Sequence, residues 1–165
     1  LKSRTGCGNK DVRLLVEEEY DRSAFSNEDD IFQELIEGDD AEYTCGLFRA
    51  SSGEVRSIVL RRKLRGGLTG SGVVAMDSAI EELLHGLSEA LALRGSINVQ
   101  LRLRSGIPYI FEINPRFSST VRFRHKLGFS DVLWSMQDRS HSIVARYRAP
   151  AEGTRFYKIY EDVIA

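Results

Sequence analysis

The chain has 165 residues, of which 42% are apolar and 28% charged, with 23 basic and 24 acidic side chains. This composition is typical of a globular domain and excludes a disordered or collagenous protein. Only two cysteines, Cys7 and Cys45, are present, which excludes a fold held together by disulfides. No apolar run approaches the roughly 20 residues that cross a bilayer, and no signal peptide opens the chain. We therefore expect a cytoplasmic protein without a membrane partner.

The charge is distributed unevenly along the chain. Residues 1–42 carry 5 basic and 13 acidic groups, a net charge of −8, whereas residues 43–165 carry 18 and 11, a net charge of +7. The two values sum to the overall −1. A basic segment can mark a nucleic-acid surface or an anion site, although most charged runs are solvated faces. Composition alone therefore leaves the function open.

The first forty residues predict loops and short strands. The polar, glycine-bearing stretch 2–11 leads into the apolar run 12–16, which is typical of a loop entering a strand. The acidic segment 17–30 predicts a short helix followed by a turn. The run 31–36 predicts a buried strand, which Gly38-Asp39-Asp40 then ends.

The middle of the chain predicts a hairpin, a loop and a helix. Strands are expected over 43–50 and 55–63 because Ser51-Ser52-Gly53 between them favours a tight turn, and 66–72 predicts a glycine-rich loop. From Asp77 onward the hydrophobic period changes to that of an amphipathic helix ending near Gly95. Its apolar stripe comprises Ile80, Leu83, Leu84, Leu87 and Leu91, and its predicted capping box is Ser78-Ala-Ile-Glu81.

A second hairpin is predicted from strict alternation over 97–104 and 108–114. A three-residue turn at 105–107 would place Gln100 opposite Glu112 and Asn98 opposite Asn114, so these four polar side chains would share one face. The other face is expected to be core: Val99, Leu101, Leu103, Tyr109, Phe111 and Ile113.

The polar face of this hairpin carries oxygen donors. The carboxylate of Glu112 and the amide carbonyls of Gln100 and Asn114 form the hard-oxygen set that Mg²⁺ accepts when phosphates complete its shell. Arg116, after Pro115, adds a forked donor suited to phosphate or carboxylate. A hairpin with one face in water remains the alternative from alternation alone.

The last fifty residues predict helices over 121–127 and 131–140 and a final strand over 156–160. Trp134 is expected to anchor the core. A basic patch follows the hairpin, and we expect it to form a solvated helix face, although it could contact a substrate. The patch comprises Arg122, Arg124, His125 and Lys126.

Asn98-Val-Gln100, followed by a hairpin and by Glu112-Ile-Asn-Pro-Arg-Phe-Ser118, resembles the metal-binding end of ATP-grasp enzymes. The similarity is greatest to the carbamoyl phosphate synthase large-subunit branch and covers nearly the whole chain. It implies an α+β ATP-grasp fold, a mainly antiparallel sheet flanked by helices. Residues 1–165 would form a single domain, with 1–36 the remainder of a small ATP-binding lobe and 37–165 the large lobe.

The resemblance also implies roles for individual residues. Gln100, Glu112 and Asn114 would hold one or two Mg²⁺ (or Mn²⁺) ions, and Arg116 would contact a phosphate or an acyl phosphate. The implied ATP contacts are Lys2 and the glycine loop with Gly6 and Gly8, then Glu34, Leu35 and Ile36 at the adenine, and Glu42, or alternatively Glu37, at the ribose. A substrate carboxylate would meet Arg65 and Thr69.

The implied activity is that of an ATP-dependent ligase that activates a carboxylate as an acyl phosphate for attack by an amine. Its partners would be these small-molecule substrates. Family members carry an N-terminal domain and the first half of the small lobe before the segment matching Lys2, so the small lobe here is expected to be incomplete. Either a longer protein or a partner chain would then complete it.

Two alternatives of other classes stay open. One is a nucleotide-binding module without turnover. The other is an arginine-rich nucleic-acid binder, which is disfavoured because the arginines are not interleaved with exposed aromatic residues and the overall charge is slightly negative.

Overall fold

The computed structural model describes residues 1–3, 12–16, 29–37 and 41–159. Their contacts group the chain into two compact units, Leu1–Leu35 and Ile36–Ala165. No helix in these ranges is long and apolar enough to span a bilayer.

The first unit contains a short antiparallel pair, β1 (Lys2–Ser3) and β2 (Asp30–Ile31). The backbones of Leu1 and Arg13 exchange two hydrogen bonds of 2.9 Å, but residues 12–16 form no strand. The strand predicted over 31–36 is also wrong, since only Ile31 of that run is in a strand. A strand needs an extended neighbour, and the described part of this unit offers only a two-residue one.

The described part of the second unit contains an antiparallel sheet with three helices, as the α+β prediction required. The strands lie in the spatial order β7-β6-β3-β4-β5-β8 among the described residues, and every neighbouring pair is antiparallel. The elements are β3 (Glu42–Arg49), β4 (Val55–Arg65), β5 (Leu68–Val74), α1 (Ser78–Ala90), β6 (Gly95–Arg104), β7 (Ile107–Asn114), α2 (Val121–Lys126), α3 (Asp131–Arg139) and β8 (Arg155–Tyr157).

Strand β3 is buried on both faces because helices cover the sheet on each side. Cys45 and Leu47 point to the α1 side, where they pack with Ile80 and Leu84. Phe48 points to the opposite side, into a second cluster. Since side chains alternate along a strand, β3 reads as an almost continuous apolar run rather than as an amphipathic one.

The N-cap residue of helix α1 lies one position before Ser78, which the sequence predicts for that role. The N-cap is Asp77, whose extended backbone and carboxylate let Oδ1 accept a 3.0 Å hydrogen bond from the amide of Ile80. The helix ends at Ala90, and Leu91 at the C-cap is 50% exposed. The apolar stripe predicted here is therefore confirmed for its first four members and wrong for Leu91.

The second cluster is built from aromatic rings. Trp134 of α3 is 1% exposed, as predicted for a core anchor, and its ring lies 5.0 Å from that of Phe129 and 5.6 Å from that of Phe48. Tyr147 packs edge-on against Trp134 at 5.3 Å. Edge and tilted arrangements of this kind add favourable contact beyond burial alone. We call this the aromatic end of the sheet face.

The predicted glycine loop over 66–72 is mostly strand. Gly66 and Gly67 form a two-residue turn with positive φ values of 61° and 76°, and β5 follows at once. Gly72 lies within β5, where a Cβ would come within 2.5 Å of the backbone oxygen of Arg61 and of the Phe156 ring. Glycine is needed there for close approach of neighbours, not for a loop.

Candidate functional site

The site is built on the hairpin of β6 and β7, whose register has one unexpected feature. Ser105 and Gly106 form a two-residue turn with positive φ values of 53° and 76°, so Arg104 lies opposite Ile107. The predicted three-residue turn is therefore wrong. A β-bulge then shifts the register between Gln100 and the residue that follows it.

The bulge restores the predicted pairing of the polar residues. From the turn as far as Leu101 opposite Ile110 the strands run one residue out of the predicted register, and Phe111 is the additional residue of the bulge. Beyond it, Gln100 lies opposite Glu112 and Asn98 opposite Asn114, as predicted.

The bulge also changes which aromatic side chains face the core. Tyr109 lies opposite Arg102, and its ring stacks under the guanidinium of Arg104 at 4.4 Å, so the predicted core position of Tyr109 is wrong. Ile110 packs against the core instead. Ile113, predicted as core, is 41% exposed.

Glu112 is held between two amides. Its Oε1 accepts a hydrogen bond from Asn114 Nδ2 at 2.7 Å, and its Oε2 accepts one from Gln100 Nε2 at 2.9 Å. Gln100 Oε1 accepts in turn from Arg62 Nη2, which also donates to Glu42 Oε1. These residues form a continuous line across β7, β6, β3 and β4, which we call the polar row: Asn114, Glu112, Gln100, Glu42 and Arg62.

Arg62 is a site residue that sequence analysis did not single out among its basic neighbours. It lies opposite Glu42 in the sheet register, and the side chains of this ion pair are only 10% and 15% exposed. Its Nη1 donates to Thr69 Oγ1 at 3.3 Å. A cation and an acid at facing positions of adjacent strands form a cross-strand pair, but finding this one requires the register of β3 and β4, which was not predicted.

Of the three predicted metal ligands in the polar row, one is a carboxylate and two are amides. Within the described ranges, no three His, Cys, Asp or Glu side chains come together as a metal cluster. Glu112 offers a carboxylate, and Gln100 and Asn114 each carry a carbonyl oxygen that amide rotation can present. This oxygen set suits Mg²⁺, which keeps several sites for water or ligand phosphate. The residues therefore fit a cation that arrives with a phosphate ligand.

Arg124 occupies a position that the sequence did not predict. Instead of lying on a solvated basic face it is fully buried, and Nη2 donates to Asn98 Oδ1 at 2.6 Å and to Thr44 Oγ1 at 3.1 Å. Burial lowers the pKa of Arg124 to about 10, which leaves it charged at neutral pH. No sequence pattern marked this position, because the six residues of α2 are too few to define a buried stripe.

Other predicted site residues of the second unit are dispersed. Arg116 is exposed, and its Nη1 donates to the backbone oxygen of Phe117 at 3.2 Å. Thr69 is buried beside Arg62. Arg65 lies on the opposite face of the sheet, where it lines a shallow depression with Lys63 and Lys158, so the structure does not bring Arg65 and Thr69 together.

The predicted ATP contacts of the first forty residues divide between the units. Lys2 lies in β1, while Glu34 and Leu35 are exposed in the first unit. Ile36 is buried in the second unit, with its backbone oxygen 3.5 Å from Arg102 Nη1. Gly6 and Gly8 lie outside the described residues, and their roles stay predictions.

The antiparallel sheet ends at one edge in β7, which carries Glu112 and Asn114, and Arg116 follows this strand. Residues 27–159 match the family described as "ATP-grasp in the biosynthetic pathway with Ter operon", and the chain belongs to this family. The resemblance to ATP-grasp proteins stated from the motifs is thereby confirmed.

Individual relatives match shorter parts. The carbamoyl phosphate synthase large chain of Thermomicrobium roseum is 53% identical over 38 residues, which are 23% of this chain and 4% of that protein. The phosphoribosylaminoimidazole carboxylase ATPase subunit from Aquifex aeolicus superimposes with a TM-score of 0.59 at 21% identity, covering 68% of this chain and 36% of that one.

N5-carboxyaminoimidazole synthetase from Staphylococcus aureus, solved with ADP, superimposes with a TM-score of 0.52 at 13% identity. The match covers 66% of this chain and 31% of that one. At these identities the solved structures establish the fold. The chain spans about a third of their length.

Proposed function

We propose that this chain is the metal- and phosphate-binding part of a cytoplasmic ATP-dependent ligase. The ligase would phosphorylate a small-molecule carboxylate and let an amine attack the acyl phosphate. The observation that carries the proposal is Glu112, held by both oxygens between Gln100 and Asn114 in a chain of the ATP-grasp family. A synthetase that binds ADP and a carbamoyl phosphate synthase large chain among the similar proteins support it.

The polar row suits phosphoryl transfer because that reaction needs neutralised charge and aligned reactants more than a general base. Glu112, Gln100 and Asn114 would hold Mg²⁺ or Mn²⁺, which offsets the charge of the phosphates when bound. Arg116 is exposed just past the strand and would contact a phosphate or the acyl phosphate. Lys2, in the first unit, would contact the phosphates together with Gly6 and Gly8.

The remaining nucleotide contacts follow the family pattern. Glu34, Leu35 and Ile36 would meet the adenine, and Glu42 would bind the ribose hydroxyls. Arg62 already donates to Oε1 of Glu42, so the ribose would use Oε2, which lies 4.0 Å from Arg102 Nη2.

For the carboxylate substrate, Thr69 is retained because it faces the polar row through Arg62. Arg65 is not retained, since it lies on the other face of the sheet. A further segment of a longer protein, or a partner chain, would complete the small lobe.

Calorimetric titration of ADP with Mg²⁺ and with EDTA tests this proposal. We expect Glu112→Gln to weaken Mg²⁺-dependent ADP binding about tenfold or more, because a neutral amide replaces the only carboxylate between Gln100 and Asn114. Glu82→Gln, on the exposed side of α1, is the matched control and should bind as the unaltered chain does. Equal Mg²⁺-dependent affinity in the Glu112 variant contradicts the assignment.

A second measurement separates ligation from nucleotide binding without turnover. This measurement follows the formation of ADP from ATP in the presence of candidate carboxylates and amines. We expect the unaltered protein to form ADP and the Glu112→Gln protein to form much less. Metal-dependent binding without any ADP release would favour a nucleotide-binding module instead.

A further inference from the structure

Two arginines are buried on the same face of the sheet, and their surroundings differ. Arg56 is 5% exposed, and its Nε and Nη2 donate to the two carboxylate oxygens of Glu54 at 2.9 and 3.0 Å. Its Nη1 donates to the backbone oxygen of Ala145 at 2.6 Å, and the guanidinium lies 4.5 Å from the centre of the Trp134 ring. Every part of this cation is neutralised or hydrogen-bonded.

Arg124 is more deeply buried and is not neutralised in this way. Its described hydrogen-bond partners, Thr44 and Asn98, are both neutral. Nε and Nη1 are buried without a hydrogen-bond partner among the residues that the structure describes. The carboxylate of Asp131 is close enough to favour the charged form, but it accepts from Ser96 Oγ at 2.8 Å and from the amide of Val132.

A buried cation with neutral partners is costly, because its hydration is lost without a compensating ion pair. The chain also makes room for it. A Cβ on Gly46 of β3 would lie 3.1 Å from Arg124 Nη1 and 2.7 Å from the ring of Phe129. Glycine within a central strand weakens that strand, and here its lack of a Cβ leaves space for both the Phe129 ring and the guanidinium.

The hydrogen bonds of Arg124 fix the orientation of one amide. A guanidinium only donates, so the atom of Asn98 that meets both Arg124 Nη2 and Thr44 Oγ1 must be the carbonyl oxygen. The amide nitrogen of Asn98 is thereby directed away from the guanidinium. Asn98 lies opposite Asn114, at the end of the polar row.

We propose that Arg124 is a positioning residue for a polyphosphate ligand. Its buried charge raises the positive potential beneath the Asn98–Asn114 end of the polar row, and its hydrogen bond turns the N–H groups of Asn98 toward the phosphate oxygens. The inference rests on the proposed function and deepens it by assigning the phosphate end of the site. It also accounts for a buried charge that forms no ion pair with the residues that the structure describes.

The test compares Arg124→Met and Arg124→Lys with Arg56→Met in the full chain. The probe is inorganic pyrophosphate in EDTA, so that metal binding at Glu112 does not contribute, and the readouts are calorimetric affinity and melting temperature. We expect Arg124→Met to lose about tenfold in pyrophosphate affinity while its melting temperature stays the same or rises. Arg124→Lys keeps the positive charge but loses the forked geometry of the guanidinium, and its pyrophosphate affinity should lie between those of the unaltered chain and Arg124→Met.

The control should behave in the opposite way. Arg56→Met removes a neutralised arginine, so its melting temperature should fall while its pyrophosphate affinity stays unchanged. A spectroscopic readout checks the mechanism: the side-chain amide resonances of Asn98 should shift in Arg124→Met and remain in place in Arg56→Met.

Three results would overturn the inference. One is a melting temperature of Arg124→Met that falls as far as that of Arg56→Met, or a variant that does not fold. The second is unchanged pyrophosphate affinity in Arg124→Met, and the third is an unaltered chain that binds no pyrophosphate. A pyrophosphate effect that depends on Arg124 in a chain whose Mg²⁺-dependent ADP binding does not depend on Glu112 would retain this inference and reject the proposed metal site.

Discussion

One face of the six-stranded sheet is divided between an aromatic end and a polar row. At the aromatic end, Trp134, Phe129 and Phe48 pack ring against ring, and the buried Arg56 is neutralised by Glu54. At the polar row, Glu112 and Glu42 accept hydrogen bonds from amides and a guanidinium, and the described hydrogen-bond partners of Arg124 beneath it are neutral. The first arrangement stabilises the fold, whereas the second leaves charged and polar groups that we propose bind a ligand.

Removing Trp134 should break the aromatic end and produce the largest effect. Trp134→Ala is expected to lose about 3–5 kcal/mol of unfolding free energy, because a side chain only 1% exposed leaves a cavity among three aromatic neighbours. Urea denaturation measures this loss. Val132→Ala, at an exposed position of the same helix, is the control, and an equal loss there would contradict the assignment of the core.

A side chain at Gly46 should disturb both the aromatic end and the surroundings of Arg124. Gly46→Ala places a methyl group 2.7 Å from the Phe129 ring and 3.1 Å from Arg124 Nη1, so we expect a loss of about 1–3 kcal/mol by the same denaturation. Gly86→Ala in α1 meets nothing within 4 Å and should be neutral or stabilising by up to about 1 kcal/mol. A stable Gly46 variant would show that the two neighbours move without strain.

The neutralisation of Arg56 should be visible in the pH dependence of stability. The hydrogen bond from Arg56 lowers the pKa of Glu54 below its ordinary value of 4.5. A depressed acid stabilises the fold above its unfolded pKa, and that contribution disappears as the pH falls through the folded pKa. Glu54→Gln should therefore be slightly less stable than the unaltered chain at pH 7, and the difference should shrink below pH 4.5 and vanish once the pH lies below the folded pKa.

Thermal melts from pH 7 to pH 3 measure this difference. The same substitution at Glu82, which is exposed on α1, is the control. A constant gap between the Glu54 variant and the unaltered chain across the whole range would refute the linkage.

The smallest effect on stability is expected at the centre of the polar row. Glu112→Gln keeps the size of the side chain and an oxygen acceptor for its amide neighbours, so unfolding free energy should change by about 0.5 kcal/mol or less. Denaturation of this variant beside Trp134→Ala gives the sharpest contrast between the two regions. A loss comparable with that of Trp134→Ala would show that Glu112 serves the fold instead of a ligand.

The sequence predicted the sheet, its main helix and the facing pairs of the hairpin because alternation and helical period are strong local signals. It missed the role of Gly72, since a glycine in a tightly packed strand cannot be distinguished from a loop glycine without knowing its neighbours. It also missed Arg124, because the buried stripe of a six-residue helix carries too few positions to define a period. Arg62 was hidden among basic neighbours until the strand register placed it opposite Glu42.

The first unit was predicted least well. The run 12–16 is rich in apolar residues, as a strand would be, yet strand formation depends on partners distant in sequence, and the described strands of this unit are only two residues long. A local sequence pattern predicts secondary structure where the tertiary neighbours favour the same structure, and it fails where those neighbours favour another.

The bulge at Phe111 separates the length of the hairpin turn from the geometry of the polar row. A two-residue turn with a bulge and a three-residue turn without one both place Glu112 opposite Gln100. The same residues between Gln100 and Glu112 can therefore form either hairpin with no insertion or deletion, and the carboxylate lies opposite Gln100 in both. A one-residue change in turn length at this hairpin is thus compatible with a fixed position of Glu112 when the bulge is lost or gained with it.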